Sequence, residues 1–596
     1  MKKSIFILIV NFFSVALFAQ TNTFVPQQMQ WGTYLQNIAQ GGSKNNILSI
    51  ANGGVVLVGY ADDVTLSYTS QLITPNAHQT QISGFNDGHI YGFNSDGTLR
   101  FGTYFGGEAN DEINILATDA QNNTYVYGNT FSYTNIATNQ TQYSGYVTPP
   151  FFIENPITGE ITEIEGNTPM SDGVLAKFTD DGALLWSTYV TGQRGLNINN
   201  AILGQTGIYV FGYTLSVQNF ATAGAYQPNW PVGVPQDNDV GTVQPDVAFM
   251  AKYSLTGEKV WSTYMHGFNF YAYDYEGVTL DEQDNIYCVK NTNGYQLVKF
   301  NSDGQWQSQE NLPANTGGVY TKVLVKNNNF YLVGRTSAAD FGTTGTFKPE
   351  KTAGVQNQFF LMKCNSALQK QWATYLPATV YWQTDRNDVL LDEDDNIYVG
   401  NSTNESGLAT TGVFQLQKNG EYGAYALKLN TNGALQWFTY FGDQITYGNS
   451  GGFIELAGKD GLYVFTGSPG TENIVNENGF FSEPSDVMFN QQCNCRLHLT
   501  KLVAETTSTD NFLKDKIKVY PNPVTNYLTV DVSDELLGKS LSYTMYDNLG
   551  RVIAKKTDID NQQLKINVEK YASGIYNLQI IDNQSKVFQN FKIVKE

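Results

Sequence analysis

The sequence TDDGALLWSTYV at residues 179–190 contains the repeated unit that decides the fold. A turn with glycine precedes a short strand that carries an aromatic residue, two small residues and a tyrosine. The same four-residue core recurs as WGTY, FGTY, WSTY, WSTY, WATY and WFTY, beginning at Trp31, Phe101, Trp186, Trp261, Trp372 and Trp437. The turn NSDG at residues 301–304 aligns a seventh copy, in which Ser308 replaces the aromatic residue. Seven copies of one unit predict a repeat architecture.

A second hairpin follows each core, as in LDEQDNIYCV at residues 280–289 and LDEDDNIYVG at residues 391–400. Each repeat therefore encodes four short strands, which we name A to D, with the aromatic core in strand D. Seven four-stranded sheets that stack radially predict a seven-bladed β-propeller over residues 28–505. The last repeat offers a strand C at residues 497–503 but no strand D. We expect the strand of Trp31 to pair with it and close the ring, which removes two open sheet edges.

These signatures resemble a bacterial β-propeller repeat family with the patterns W-S-T-Y-L-G-G and D-x-x-G-N-x-Y-V-x-G. The resemblance covers residues 28 to about 505 and implies the fold, but it says almost nothing about activity. There is also a looser likeness to quinoprotein propellers through a G-x-x-x-W pattern. The cofactor-site residues of those proteins have no counterpart here, so no cofactor is expected.

The N-terminus and the composition indicate an exported protein. Lys2 and Lys3 precede a mostly apolar run that ends near Ala19, which predicts a signal peptide over residues 1–20. No later stretch is long and apolar enough for a transmembrane helix. The net charge of −20 argues against nucleic acid as a partner.

The last eighty or so residues form a second unit after a polar linker at residues 506–515. Alternating apolar residues within 516–596 predict a small Ig-like β-sandwich, so the whole chain is expected to be all-β. The segment resembles the type A C-terminal sorting domain of type IX secretion. The matching positions are Tyr520, Pro521, Asn522, Pro523, Gly550, Gly574 and Tyr576. The resemblance implies a translocon and a sortase as partners, and a location outside the cell or on its surface, with attachment to lipopolysaccharide as one outcome.

Long insertions between strands B and C predict a binding surface on one face of the propeller. They comprise residues 61–87, 130–172, 214–245, 337–356 and 468–492. The links from strand D to the next strand A add aromatic rings beside acidic groups on the same face, a mixture that suits carbohydrate. We expect a binding or adhesion module for a glycan or a protein ligand. The candidate ligand-binding residues are Tyr271, Tyr273, Asp274, Tyr381, Trp382, Asp385 and Tyr447. The alternative is that these rings pack between blades.

An enzyme is the second hypothesis for this surface. The four histidines form no catalytic motif, and only Asp274, Asp385 and Glu112 could serve a glycoside hydrolase or lyase as acid and base. No metal site is expected, because the acidic turns at 281–284 and 392–395 are typical of ordinary β-turns. Cys493, Cys495 and His498 supply too few ligands for a metal. The disulfide pairing among Cys288, Cys364, Cys493 and Cys495 stays open.

The fourth repeat is expected to be the weakest, for two reasons. Ser308 forgoes the burial of an aromatic side chain, up to about 200 Å². The link between its strands B and C, residues 291–294, is also the shortest. Residues 304–311 should therefore exchange their amide protons faster than residues 183–191, and Ser308→Trp should narrow that difference.

Overall fold

The protein is built almost entirely from β-strands, as its computed structural model shows. The structure describes residues 25–35, 47–62, 70–139, 141, 151–154, 161–164, 170–232, 234, 247–270, 277–291, 294–313, 319–378, 388–445, 453–456, 461–468, 496–504, 517–533, 541–547, 551–556, 563–582 and 588–596. The predicted signal peptide, the linker and Gly550 lie outside these residues. The chain divides into two compact units, Met1–Ala504 and Glu505–Glu596.

The described strands of the first unit form seven four-stranded antiparallel sheets and one short hairpin. Strand β1 (Gln28–Leu35) is followed in chain order by the strands of sheets 1 to 3. Sheet 1 holds β2 (Ile47–Ser49), β3 (Val55–Asp62), β4 (Asn86–Phe93) and β5 (Leu99–Phe105). Sheet 2 holds β6 (Asp111–Thr118), β7 (Thr124–Thr130), β10 (Asp172–Phe178) and β11 (Leu184–Val190), with the hairpin β8 (Phe151–Glu154) and β9 (Ile161–Ile164) inserted between its second and third strands. Sheet 3 holds β12 (Leu196–Leu203), β13 (Ile208–Thr214), β14 (Val247–Tyr253) and β15 (Lys259–Tyr264).

The other sheets follow the same order of pairing. Sheet 4 holds β16 (Val278–Leu280), β17 (Ile286–Asn291), β18 (Tyr295–Phe300) and β19 (Trp306–Asn311). Sheet 5 holds β20 (Val319–Lys326), β21 (Asn329–Thr336), β22 (Gln358–Cys364) and β23 (Lys370–Tyr375). Sheet 6 holds β24 (Asp388–Leu391), β25 (Ile397–Thr403), β26 (Tyr422–Leu429) and β27 (Leu435–Ile445). Sheet 7 holds β28 (Phe453–Leu456), β29 (Gly461–Ser468) and β30 (Arg496–Val503), and its fourth strand is β1.

Strand β1 occupies the strand D position of sheet 7 although it is the first described strand of the chain. It runs antiparallel to β30, with Trp31 opposite Lys501 and Leu35 opposite Leu497. The backbone N–H of Gln27 extends the pairing by donating to the carbonyl of Val503 at 2.9 Å. The two ends of the first unit are thus joined within one sheet.

One row of side chains crosses strands B, C and D in most sheets. In sheet 3, Lys252 lies opposite both Tyr209 and Trp261, and its ammonium lies 5.1 Å from the centre of the Tyr209 ring. The rings of Tyr209 and Trp261 meet edge to face at 6.3 Å. Sheets 2, 5, 6 and 7 repeat the tyrosine, lysine and tryptophan row. Because aromatic pairs and cation–π contacts are both favourable, each row stiffens its own sheet.

In sheets 3, 5 and 7 this row contacts the turn between strands C and D of the following sheet. The Trp31 indole and the Lys501 ammonium of sheet 7 both donate to the carbonyl of Ser95 in sheet 1, at 2.9 and 3.0 Å. Trp261 and Lys252 share the carbonyl of Ser302 in the same way, and Trp372 and Lys363 share that of Thr431. The indole and the ammonium together therefore link one sheet to the next.

The glycine of that turn allows the close approach. A Cβ added to Gly304 would lie 2.8 Å from the Trp261 ring, and one added to Gly433 would lie 2.9 Å from the Trp372 ring. Both glycines also have positive φ angles, 73° and 75°. Only glycine meets both demands without strain, which explains why a turn ending in glycine precedes strand D.

The second unit consists of two sheets around one core. A three-stranded sheet pairs β31 (Ile517–Tyr520), β32 (Tyr527–Val532) and β35 (Gln563–Asn567). A four-stranded sheet orders β34 (Val552–Lys556), β33 (Leu541–Tyr546), β36 (Gly574–Asp582) and β37 (Phe588–Lys595). Leu528 and Val530 from the first sheet and Leu578 from the second are fully buried in the shared core. The alternation read from the sequence therefore places apolar residues inward.

Candidate functional site

The predicted ligand-binding residues fall in segments that the structure does not describe. Tyr271, Tyr273 and Asp274 lie within residues 271–276. Tyr381, Trp382 and Asp385 lie within residues 379–387, and Tyr447 lies within residues 446–452. The described residues that directly precede the first segment include buried aromatic side chains. Phe268 and Phe270 pack into the cluster that joins sheets 3 and 4, with the Phe270 ring 5.6 Å from that of Phe211. In that part of the link the aromatic rings contribute to packing.

The described parts of the insertions between strands B and C run along the strand D edge of their own sheet. In sheet 5 the N–H of Thr343 donates to the carbonyl of Ala373, and the N–H of Tyr375 donates to the carbonyl of Lys348. In sheet 6 the insertion residues Thr410 and Gln415 bond strand D in the same manner. Insertions in sheets 1, 2 and 3 do so as well, through Thr74, Thr138 and Thr222. These segments cover an exposed sheet edge, a role that their length in the sequence did not reveal.

The first strands of four sheets bring together a group of polar side chains that the sequence did not single out. We call Ser49, Lys322, Asp388 and Glu455 the strand A cluster, since each lies on the strand A of its sheet. The hydroxyl of Ser49 donates to Oε1 of Glu455 at 2.9 Å. The carboxylate of Asp388 accepts a hydrogen bond from the backbone N–H of Ile454 at 2.9 Å, which connects sheets 6 and 7.

Glu455 holds its proton at neutral pH because of this setting. Burial is the largest cause, and the nearby Asp388 carboxylate acts in the same direction, so the pKa of Glu455 is raised to about 8. The hydrogen bond from Ser49 and the positive charge of Lys322 oppose that rise. A neutral carboxylic acid next to a second carboxyl group can donate a hydrogen bond and can also exchange a proton with a ligand.

A second pair of carboxylates lies where sheet 1 meets sheet 2, at Gly106 and Gly107. A Cβ added to Gly106 would lie 2.6 Å from an oxygen of Asp87 and 2.9 Å from an oxygen of Asp111. Burial raises the pKa of Asp111 to about 6 and also raises the pKa of Asp87. Both side chains are buried and accept hydrogen bonds from loop groups, including the N–H of Gly107. This pair therefore fixes the link between two sheets.

Glu112, the described member of the predicted acid and base residues, directly follows the buried Asp111 in the chain. It is exposed on strand β6, opposite Asn129. The acidic turns behave as ordinary turns: Asp281 accepts the N–H groups of Gln283 and Asn285, and Asp284 accepts those of Gln205 and Thr206. Among the described residues no three carboxylate, histidine or cysteine side chains form a group that could hold a metal ion.

The described cysteines and the motif residues of the second unit have structural positions. Cys288 and Cys364 are buried free thiols in sheets 4 and 5, and Cys493 and Cys495 lie outside the described residues. Asn522 receives the N–H of Val594 at 2.8 Å and donates to the carbonyl of Lys592 at 2.7 Å. It thereby attaches the YPNP segment to strand β37.

Other motif residues remain accessible. Tyr520 is partly exposed and its hydroxyl contacts the carboxylate of Asp531 at 2.9 Å. Gly574 begins strand β36, and the hydroxyl of Tyr576 donates to the carbonyl of Ala572. The motif thus combines an attachment point in the fold with a tyrosine at the surface.

Comparison with known proteins identifies the second unit. Residues 518–596 match the family described as the secretion system C-terminal sorting domain. This match shows export by the type IX secretion system to the cell surface or beyond, and it implies contact with the secretion machinery. No helix in the described residues has the length and hydropathy needed to cross a membrane. No curated protein matches the chain.

Several solved structures resemble the chain at low identity. PorZ, described as an essential bacterial surface component of the type IX secretion system of Porphyromonas gingivalis, is 12% identical, with a TM-score of 0.20 over 93% of this chain and 82% of that chain. Domains 1 and 2 of Drosophila Semaphorin 1b are 9% identical, with a TM-score of 0.26 over 87% and 80%. The extracellular domain of BT4673 from B. thetaiotaomicron is 12% identical, with a TM-score of 0.19 over 96% and 100%.

Proposed function

We propose that this chain is an exported seven-bladed β-propeller that binds glycan at the end of its central channel, and that an Ig-like sorting domain delivers it. Contacts between consecutive sheets support the ring. They include the pair that a ring requires between the last sheet and the first, where Trp31 and Lys501 donate to Ser95. The hydroxyl of Tyr463 adds a bond to the carbonyl of Gly53 at 2.7 Å.

Deletion of residues 28–35 tests the ring. Without β1 the edge of β30 is open and sheet 1 loses the indole bound to Ser95, so both the melting temperature and the solubility should fall. A matched control removes only residues 1–24 and should leave the melting temperature and the solubility unchanged. Equal melting temperatures for the two deletions would rule out the ring.

The strand A cluster carries the binding proposal. Asp388, Glu455, Ser49 and Lys322 come from sheets 6, 7, 1 and 5, and in a seven-bladed ring these strands line the central channel. The cluster offers a neutral acid, a second carboxyl group, a hydroxyl and an ammonium. Sugar hydroxyls both donate and accept hydrogen bonds, so they match this mixture better than an apolar ligand does.

The predicted aromatic residues are close in the chain to the A strands that carry the cluster. Trp382 and Asp385 precede Asp388 by a few residues, and Tyr447 precedes strand β28, which carries Glu455. These links lead into the ends where these A strands begin, and we propose that they hold their aromatic rings there. Rings at the entrance and hydrogen-bonding groups inside would contact the apolar faces and the hydroxyls of one sugar chain.

A glycan array with the full exported chain tests this binding. Asp388→Asn and Trp382→Ala should each lose most of the signal, whereas the exposed control Glu112→Gln should retain it. Binding that uses the proton of Glu455 should stay constant below about pH 8 and decrease above it, because the pKa is raised to about 8. Glu455→Gln keeps a donor and should remove that dependence on pH. Equal binding by all variants would contradict the assignment.

A polysaccharide-degrading enzyme is the second candidate, and the pKa of Glu455 favours it. A protonated Glu455 beside Asp388 offers the acid and the base that glycoside hydrolysis requires. Release of reducing ends or unsaturated products from a panel of polysaccharides would support this activity. Loss of that release in Glu455→Gln, with glycan binding retained, would separate catalysis from binding.

Delivery by the sorting domain adds two proposed events. A sortase removes residues 516–596, and the propeller is then released or attached to surface lipopolysaccharide. Mass spectrometry of the protein recovered from the culture medium and from washed cells distinguishes these fates. A chain recovered with residues 516–596 intact in both fractions would contradict removal by a sortase.

A further inference from the structure

A cavity of about 310 Å³ lies between sheets 4 and 5. Its walls are formed by Tyr287, Leu297, Lys299, Ser308, Glu310, Val325, Asn328, Phe330, Ser366 and Leu368. Ser308 lies opposite Lys299, and Lys299 lies opposite Tyr287, so the cavity occupies the place that a strand D aromatic fills in the other rows. Trp306 is 49% exposed and is not among the residues that line the cavity.

The following sheet has changed at the matching position. The turn between strands C and D of sheet 5 has Leu368 where sheets 1, 2, 3, 4 and 6 have glycine. Leu368 has a φ of 56°, a region that bulky residues rarely adopt. A leucine here and an indole on strand D would collide, as the 2.8 Å approach at Gly304 shows. The two changes therefore belong together, and a cavity remains even with the leucine in place.

The cavity keeps the groups that hold an indole at the other interfaces. Lys299 lies over the Tyr287 ring at 5.1 Å, as the lysine does in sheet 3. Ser366 occupies the turn position of Ser302, whose carbonyl receives the Trp261 indole N–H at 3.3 Å. In the described part of the chain no side chain donates to the carbonyl of Ser366.

We infer that this cavity is a binding site for a small planar aromatic molecule of indole size that carries an N–H donor. The ring would lie against Leu297, Phe330 and Leu368, and the N–H would bond the carbonyl of Ser366. A cavity of about 150 Å³ already binds benzene in a protein interior, so the volume here suffices for a fused ring. Lys299 and Glu310 at the wall have opposite charges, which favours a neutral ring over a charged one.

Open access supports a diffusible molecule as the occupant. The link between strands B and C is residues 291–294 in sheet 4, whereas insertions cover strand D in sheets 1, 2, 3, 5 and 6. Ser308 and Glu310 consequently retain contact with solvent. A small molecule could therefore enter beside β19 without displacing any of the described residues.

Saturation-transfer NMR with indole and the full exported chain tests the site. We expect a clear transfer signal with the natural chain and its loss in the double variant Ser308→Trp, Leu368→Gly, which restores the arrangement of the other interfaces. Ser308→Phe provides a second blocked form should the double variant fold poorly. Trp372→Ser, which vacates the matching place beside Gly433, should gain a second indole site.

N-methylindole tests the hydrogen bond to Ser366. Without its N–H it should bind about fivefold more weakly, the loss typical of one hydrogen bond. Equal signals for indole and N-methylindole would overturn the role of Ser366, and an undiminished indole signal in both blocked forms would overturn the site. Because no residue of the strand A cluster lines the cavity, glycan binding should be the same with and without indole.

Discussion

The interface between sheets 3 and 4 and the interface between sheets 4 and 5 fill the same position by different means. At the first, Trp261 lies over Gly304 and shares the carbonyl of Ser302 with Lys252. At the second, Leu368 projects from the turn toward Ser308 and a cavity of about 310 Å³ remains. A leucine supplied by the following turn replaces part of the volume of an aromatic ring, but it forms no hydrogen bond to the turn carbonyl.

The repeat is specified by pairs of residues on neighbouring sheets. Where the next sheet has a turn between strands C and D, a strand D tryptophan packs against a glycine in that turn, and loss of the tryptophan permits a side chain there. Ser308 and Leu368, which form one such pair, are 60 residues apart in the sequence. Substitutions that respect or violate this pairing therefore separate the two interfaces.

Trp261→Ser should produce the largest effect, because it empties the filled interface. Removal of a buried tryptophan typically costs about 3 to 5 kcal/mol, and the turn carbonyl of Ser302 loses its indole donor as well. Denaturant unfolding of the natural chain and the variant measures the cost. Ser308→Ala is the control at the other interface and should change the free energy of unfolding by less than about 0.5 kcal/mol. Similar costs for both would erase the distinction.

Gly433→Leu should be the next largest, since it adds a leucine beneath a tryptophan that is still present. A Cβ at this position lies 2.9 Å from the Trp372 ring, and the φ of 75° suits only glycine. Overpacking and the left-handed backbone together are expected to cost about 2 to 4 kcal/mol. The reverse change, Leu368→Gly, relieves the backbone and loses apolar contact, so its net effect should be within about 1 kcal/mol. A harmless Gly433→Leu would refute the pairing rule.

The double variant Ser308→Trp, Leu368→Gly should stabilise the protein, as substitutions that fill cavities commonly do, by about 0.5 to 2 kcal/mol. Ser308→Trp alone should gain less, because Leu368 occupies part of the space that the indole needs. Thermal unfolding of the double variant and both single variants forms a complete cycle. Additive effects would show that the two positions act independently.

Amide exchange should reveal the smallest difference, a local one. Residues 304–311 should exchange faster than residues 183–191, since β19 is largely exposed while an insertion covers the strand of Trp186. The double variant should slow exchange in residues 304–311 only in part, because the edge of β19 stays uncovered. Equal protection of the two segments in the natural chain would mean that the cavity does not weaken sheet 4.

Strand and turn positions could be predicted from the sequence because they depend on local chemistry. The sequence prediction of an all-β chain with a type IX sorting tail is confirmed, as is its location at or beyond the cell surface. The prediction that the insertions form a binding surface did not anticipate their course along the strand D edges, as seen for Thr343 and Thr410. The length of an insertion does not predict its path over the protein, because that path depends on which backbone groups of the sheet are unpaired.

Sequence alone determined which segments become strands, since glycine turns and alternating apolar residues act within a few residues of chain. Tertiary structure alone decided which side chains meet across sheets. Asp388 and Glu455 are separated by a whole repeat in the sequence, and the pKa of Glu455 is raised only because folding buries it beside Asp388. Likewise Leu368 became meaningful only when placed against Ser308. Contacts between residues that are far apart in the sequence are properties of the packed chain, and no local pattern encodes them.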